Sequence, residues 1–161
     1  MMRPWVKLLL FLIPAVAGII YLYWRLSPEQ AVIRRVDAVL ASFDKKTLST
    51  GTSKQKAERF SQLLSPQLEI RARHPVPSGP ILPTVAAGLL EQFQDSVRSC
   101  KISREKETVA FPSGEKAIYQ AIVEVDVRAG RSSWVLRYQC RLEFDKVGRD
   151  WLLRLVILTP I

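Results

Sequence analysis

A run of alternating residues between Ala117 and Leu158 constrains the fold of this chain most strongly. In the segments AIYQAIVEVDVR and WVLRYQCRLEF, every second residue is apolar. A period of two is typical of β-strands that bury one face and expose the other. A third segment, WLLRLVIL, is apolar at almost every position, which predicts a strand at the centre of a sheet or covered on both faces. The sequence therefore predicts three antiparallel strands joined by tight turns.

The first turn sets the register of these strands. Gly130 supplies the positive φ that a two-residue hairpin loop needs, so Ala129 is expected opposite Ser132. A one-residue slip would set an acidic side chain against Trp134, so the pattern excludes it. The resulting pairs are Val127 with Trp134, Val125 with Leu136, Val123 with Tyr138, and Glu124 with Arg137. The last pair is a favourable charge pair on the solvent face.

The inward-facing row of the same strands carries no carboxylate and no histidine. It consists of Tyr119, Ala121, Val123, Val125, Val127, Trp134, Leu136, Tyr138, Cys140 and Leu142. General acid–base catalysis requires a titratable group that reaches the substrate. No catalytic residue is therefore predicted.

The charge balance is basic: 24 Lys and Arg against 15 Asp and Glu give a net charge of +9 over 161 residues. The charges alternate along the predicted elements, which is typical of a solvated surface. Attraction to anionic lipid headgroups is the alternative. We predict no nucleic-acid partner, because no Lys/Arg run is interleaved with exposed aromatic residues.

The N-terminal segment contains an uncharged run from Leu8 to Trp24. With aromatic residues at both ends, residues 5–24 are predicted to span a lipid bilayer. This divides the chain into an anchor, residues 1–26, and one domain, residues 27–161. A cleaved signal peptide ending in Ala15-Val16-Ala17 and a buried helix are the alternatives. We expect a single-pass protein of a bacterial inner membrane with its C-terminal domain exported.

Helical patterns precede the strands. Ser27 and Thr52 are predicted to cap two helices between residues 28 and 64, joined by a linker over 48–53, and the second is expected to stop at Pro66. A third helix over 84–97 is predicted to begin at a Thr84 cap. Short alternating runs predict strands over 68–72 and 100–111.

The order of these elements resembles that of the nuclear transport factor 2-like superfamily. The resemblance rests on the helix pair 28–64, the segment LEIRA, the helix TVAAGLLEQFQDSV and the three final strands. It implies an α+β fold in which three helices pack on a curved antiparallel sheet of four to five strands. Members of this superfamily include isomerases and dehydratases that act in a conical pocket, and many binding or assembly domains.

The leading functional prediction is a membrane-anchored, non-enzymatic binding or assembly module. A small-molecule-binding or isomerase/dehydratase-like enzyme that uses the cone is the alternative. No cofactor and no metal are predicted, because the sequence lacks phosphate-binding glycine loops and clustered Cys/His ligands. Partners are expected to be the bilayer and a protein or second copy bound through the sheet face. If the cone is a ligand pocket, its predicted lining is Tyr119, Trp134, Tyr138 and Phe93, while a lone His74 is expected to have no role.

Both cysteines are predicted to be unpaired. The expected register places Cys100 beside Arg128 and Cys140 opposite Ala121. Arg128 and Ala121 are about 23 Å apart along a strand, whereas a disulfide needs Cα atoms within about 7 Å. Cys140 is expected to be buried, and Cys100 to face outward and be available to a second protomer unless a bulge within 103–108 turns it inward.

Overall fold

The computed structural model describes residues 4–46, 52–74 and 76–161, with side chains from residue 12 onward. Most of the predicted linker 48–53 therefore lies outside the described residues. Four helices are described: α1 (Pro4–Arg25), α2 (Pro28–Phe43), α3 (Ser53–Ser61) and α4 (Pro83–Ser96). Six strands are described: β1 (Leu64–Ala72), β2 (Gly79–Pro80), β3 (Ser99–Ser113), β4 (Lys116–Ala129), β5 (Ser132–Val147) and β6 (Asp150–Pro160).

The sheet has the strand order β2-β1-β6-β5-β4-β3. The predicted central position of the apolar last strand is confirmed, because β6 lies between β1 and β5. The predicted number of four to five strands is wrong, since the two-residue strand β2 adds a sixth. The expectation of a wholly antiparallel sheet is also wrong, because β1 runs parallel to β6.

The register of the central hairpin is confirmed. Every predicted pair is present, from Ala129 opposite Ser132 to Val123 opposite Tyr138, and Gly130 has a φ of 58°. The register of β3 changes part-way along the strand. Val109 lies opposite Tyr119 as predicted, but the pairing shifts between Glu105 and Thr108. This bulge moves the N-terminal part of β3 by one residue, so Cys100 lies opposite Val127 instead of Arg128.

Two of the three predicted helix N-caps are confirmed. The Ser27 and Thr52 hydroxyl oxygens accept hydrogen bonds from the backbone N–H groups of Gln30 and Gln55, at 3.3 and 3.2 Å. The predicted Thr84 cap is wrong, because the N-cap of α4 is Leu82, two residues earlier, and the helix begins at Pro83. Pro83 occupies the first turn, where the missing N–H costs no intrahelical bond. Helix α3 ends before the predicted stop, and Leu64 already belongs to β1.

Two polar side chains, the buried Gln94 and the half-buried Lys45, tie the C-terminal ends of α2 and α4 together. The side-chain amide of Gln94 donates to the carbonyls of Ser42 and Phe43, at 2.9 and 3.1 Å. In return, Lys45 Nζ donates to the carbonyls of Gln94 and Val97. Gln94 of α4 and Lys45, two residues beyond α2, thus each supply donors to carbonyls at the end of the opposite helix, where no intrahelical N–H is available. This exchange fixes both helices over the sheet.

Helix α1 lies outside this core. From Leu12 to Leu26 every side chain is exposed. Among the helices of the described chain, none combines the length and apolar character that crossing a membrane requires. The spanning segment predicted over residues 5–24 therefore has no structural support, and its first side chains, up to Phe11, lie outside the described residues.

Candidate functional site

One face of the sheet, here called the inner face, carries Tyr119 and packs against the helices. Its deeper half is filled by the protein's own side chains. Tyr119, Phe144 and Leu153 are fully buried, and Val32 and Val36 of α2 are buried in the same cluster. The part of the fold in which a conical pocket was expected is thus occupied by core side chains.

The β3 bulge brings charged residues to this inner face. Lys106 has a φ of 54°, and three steps along β3, from Glu105 to Thr108, match two steps along β4. Without the extra residue, alternation would place Arg104 and Glu107 on opposite faces. With it, both side chains lie on the side of Tyr119.

These residues form a chain of polar contacts from the sheet to α2. The Tyr119 hydroxyl donates to Glu107 Oε2 at 3.0 Å, and Arg104 Nε lies 3.1 Å from Glu107 Oε1. Arg104 also forms an ion pair with Asp37 on α2. Burial raises the pKa of the Tyr119 hydroxyl, and the Glu107 charge raises it further, so Tyr119 stays protonated and acts as a donor.

This network is poorly suited to general-base catalysis. Each of its carboxylates already forms an ion pair with Arg104, which engages an oxygen that a general base would offer. One polar atom is left over: Arg104 Nη1 is buried without a hydrogen-bond partner in the described chain. Glu107 is not among the predicted inward residues, because alternation defines that row on β4 and β5 alone. The sequence signal for it is a run of charges that interrupts the alternation at 103–107.

The outer half of the inner face is open. Trp134 and Leu136, expected inside, are 49% and 43% exposed. Their cross-strand neighbours Val127 and Val125 pack with Phe93 of α4 and with Cys100 in a small second cluster. An apolar surface therefore continues from the core to Trp134 and Leu136, where the described helices do not cover it.

The four predicted pocket residues are not gathered around one cavity. Tyr119 is buried in the core and bonded to Glu107, whereas Phe93 is half-buried with its ring 6.1 Å from that of Phe43. Tyr138 is half-buried opposite Val123, and Trp134 is open. The two cavities described in the protein are lined by other residues. Ligand contact by these four side chains stays a prediction.

Glu124 does lie opposite Arg137, but the predicted ion pair between them is wrong, since Arg137 Nη2 lies 3.2 Å from Glu105 Oε2 instead. His74 is exposed. Within the ranges that the structure describes, no group of three or more His, Cys, Asp or Glu residues could hold a metal ion.

Both cysteines are free and buried. Burial, with the charges of Asp44 and Asp126, raises the pKa of the Cys100 thiol to about 11. Burial raises the pKa of the Cys140 thiol to about 12. The bulge that was the stated alternative within 103–108 is present and turns Cys100 inward, against Val127, so the outward Cys100 available to a second protomer is corrected.

Solved structures share this arrangement of strands and helices. A scytalone dehydratase-like protein from Novosphingobium aromaticivorans superposes with a TM-score of 0.67, at 16% identity over 83% of each chain. The hexachlorocyclohexane dehydrochlorinase LinA-type3 from Novosphingobium barchaimii superposes with a TM-score of 0.65, at 15% identity over 85% of this chain and 92% of that one. A nuclear transport factor 2-like protein from Cytophaga hutchinsonii gives 0.65, at 6% identity over 84% of this chain and all of the other.

The fold is nuclear transport factor 2-like. At these identities the likeness extends to the fold alone, because this fold hosts many unrelated functions. No family model matches the sequence, and neither does any curated protein. The nuclear transport factor 2-like resemblance in the sequence is thus confirmed at the level of architecture.

Proposed function

We propose that this nuclear transport factor 2-like domain is a non-enzymatic binding module that holds a partner protein on the open part of its inner face. The observation that carries the proposal is the division of that face. Its deep half is filled by Tyr119, Phe144 and Leu153, while its outer half leaves Trp134 and Leu136 uncovered. A filled cone offers no room for a substrate, whereas an uncovered aromatic and aliphatic surface favours a macromolecular partner.

The chemistry of this surface supports a protein partner over a small ligand. Small molecules bind in concave pockets that enclose most of their surface, and neither described cavity is lined by Trp134 or Leu136. Burying the exposed half of a tryptophan, about 100 Å², contributes about 2.5 kcal/mol. One such anchor with its aliphatic neighbour supports binding of an apolar segment of another protein.

A photo-crosslinking experiment tests this function. A benzoylphenylalanine replaces Trp134, or in a control Val147, an exposed apolar residue at the other end of β5. We expect a discrete adduct with another protein from position 134 and none from position 147, and we expect Leu136→Asp to abolish the adduct. Equal labelling at both positions would contradict the proposal, and an adduct only with a second copy of the chain would replace it with self-association through this face.

We also propose that residues 5–24 attach the domain to a membrane, with the domain exported. The support is the uncharged run from Leu8 to Trp24 and the exposure of every side chain from Leu12 to Leu26, which no part of the domain covers. Exposed apolar surface of this extent favours contact with lipid.

A second candidate is a dehydratase- or isomerase-like enzyme. The observation that favours it is Glu107, a carboxylate that the β3 bulge brings to the inner face beside the Tyr119 hydroxyl. Two of the solved neighbours are named as a dehydratase and a dehydrochlorinase. If this candidate is right, Glu107→Gln abolishes turnover of any substrate found, because the amide keeps the hydrogen bond but cannot accept a proton.

A further inference from the structure

A cleft at the far end of the domain carries a cluster of arginines that the proposed function does not use. The cleft has a volume of about 370 Å³ and lies beside the turn between β4 and β5. Its lining combines Arg98, Arg128 and Arg131 with the hydroxyls of Ser99, Ser132 and Ser133. Every one of these side chains donates hydrogen bonds.

The position of the three arginines follows from the backbone. Arg98 precedes β3, and its N–H donates to the carbonyl of Arg128 at 2.6 Å, while Ser99 lies opposite Arg128. Arg128 lies opposite Ser133, two residues from the loop that contains Arg131. The start of β3 and the β4–β5 turn thus bring three guanidinium groups from separate positions to one opening.

The positive charge of the cleft is not neutralised within the described chain. None of the three arginines forms an ion pair there, although other surface arginines, such as Arg35 and Arg137, do. Asp126 lies two residues before Arg128 on the same face and has Lys101 as its cross-strand neighbour. Three clustered like charges repel one another, so an anion that enters the cleft lowers their electrostatic energy.

We propose that this cleft binds the phosphate group of a small soluble ligand. Guanidinium groups match phosphate oxygens with paired hydrogen bonds, and a phosphate monoester carries about −1.5 to −2 charges at pH 7, which suits three arginines. The site differs from the proposed partner surface. Arg128 and Ser133 point to the face opposite Val127 and Trp134, because neighbouring residues of a strand alternate.

The placement of the cleft favours a soluble phosphate over a lipid headgroup. Helix α1 joins the N-terminal end of α2, and Arg35, midway along α2, contacts Asp150 at the start of β6. The other end of α2 lies beside the cleft, since Lys45 pairs with Cys100 at the start of β3. The 16 residues of α2 separate the two ends by about 24 Å. A bilayer held by α1 therefore lies at the opposite end of the domain from the cleft.

Calorimetric titration of the full chain in detergent with inorganic phosphate and with phenyl phosphate tests the inference. We expect saturable binding that weakens as chloride concentration rises. The double variant Arg128→Gln/Arg131→Gln should bind about tenfold or more weakly, because it removes charge-assisted hydrogen bonds. The control Lys54→Gln/Arg59→Gln removes the same charge from the exposed surface of α3 and should bind like the parent chain.

Three results would overturn the inference. One is the absence of saturable phosphate binding by the parent chain, and another is equal weakening in the α3 control. The third is binding to phosphatidylglycerol vesicles, but not to phosphatidylcholine vesicles, with no response to either soluble phosphate, which would assign the cleft to lipid. Equal thermal unfolding temperatures of all variants verify that each is folded. Arg98→Gln removes a cleft arginine outside the β4–β5 turn and serves as a second test variant.

Discussion

Among single residues, Cys140 shows how burial translates into a pH-dependent stability. Its thiol faces the core opposite Ala121, and burial raises the pKa of this thiol to about 12. In the unfolded chain the thiol ionises near its ordinary pKa of about 8.5. Between these values the folded state binds more protons than the unfolded state, so stability falls as pH rises. Below the unfolded value the contribution is fully present.

We therefore expect the parent chain to lose stability faster than Cys140→Ala above about pH 9. The Cys140 thiol accounts for a difference of up to about 1.4 kcal/mol per pH unit. Urea unfolding at intervals from pH 8 to pH 10.5 measures the difference. Cys140→Ala has a lower starting stability because of its cavity, but a flatter profile. If the free energy of unfolding falls equally with pH in the two chains, this thiol ionises freely in the folded state.

Trp134 and Phe144 lie on the same strand and face, but they differ in burial. Phe144 is fully buried, whereas Trp134 is half exposed. Removing a buried phenylalanine side chain costs about 3–5 kcal/mol, so Phe144→Ala should be severely destabilising. Trp134→Ala should cost about 2 kcal/mol, as only half of its apolar area is removed from water. Equal losses in urea unfolding would mean that the outer half of the inner face is covered in solution.

At the level of secondary-structure elements, the bulge in β3 controls what reaches the inner face. Lys106 adopts a left-handed backbone conformation, which costs an L-residue about 1–2 kcal/mol relative to glycine. Glycine also gives the unfolded chain more conformational freedom, which offsets part of this gain. Lys106→Gly should therefore raise the free energy of unfolding by about 1 kcal/mol, as measured by urea unfolding. A destabilised variant would show that the Lys106 side chain makes contacts that outweigh this strain.

Deleting Lys106 tests the same element more severely. Loss of the extra residue would turn Cys100, Ile102 and Arg104 outward, because the period of the strand is two. We expect the deletion variant to lose the cooperative unfolding transition in circular dichroism. A deletion variant as stable as the parent chain would show that the register of β3 before the bulge does not matter.

The same elements explain what the sequence could predict. The β4–β5 register follows from local alternation and one turn glycine, so Val127 and Trp134 were paired correctly. The register of Cys100 was one residue off, since a bulge formed by Lys106 has no pattern of its own beyond a run of charges. The Asp37–Arg104 contact and the parallel pairing of Glu69–Ala72 with β6 join distant residues, and such pairing leaves no periodic trace.

For the whole molecule, the membrane proposal makes a direct prediction. The full chain expressed in bacteria should stay in the membrane pellet after a carbonate wash. Val16→Arg/Ile20→Arg should be released, because charged side chains on the exposed apolar surface of α1 oppose its transfer from water into lipid. Both side chains are exposed, so the domain itself should fold unchanged. Release of the parent chain at full length would contradict attachment through this helix.

The position of β6 has a consequence for how the chain is made. This strand comes last of the six, yet it separates β1 from β5 and pairs with both. Until the ribosome has produced Asp150–Pro160, the nascent chain carries two open strand edges and a divided sheet, and open edges invite pairing with other chains. Folding of this domain therefore waits until β6 has been made, and a chain stalled before residue 150 is expected to be a substrate for chaperones and proteases.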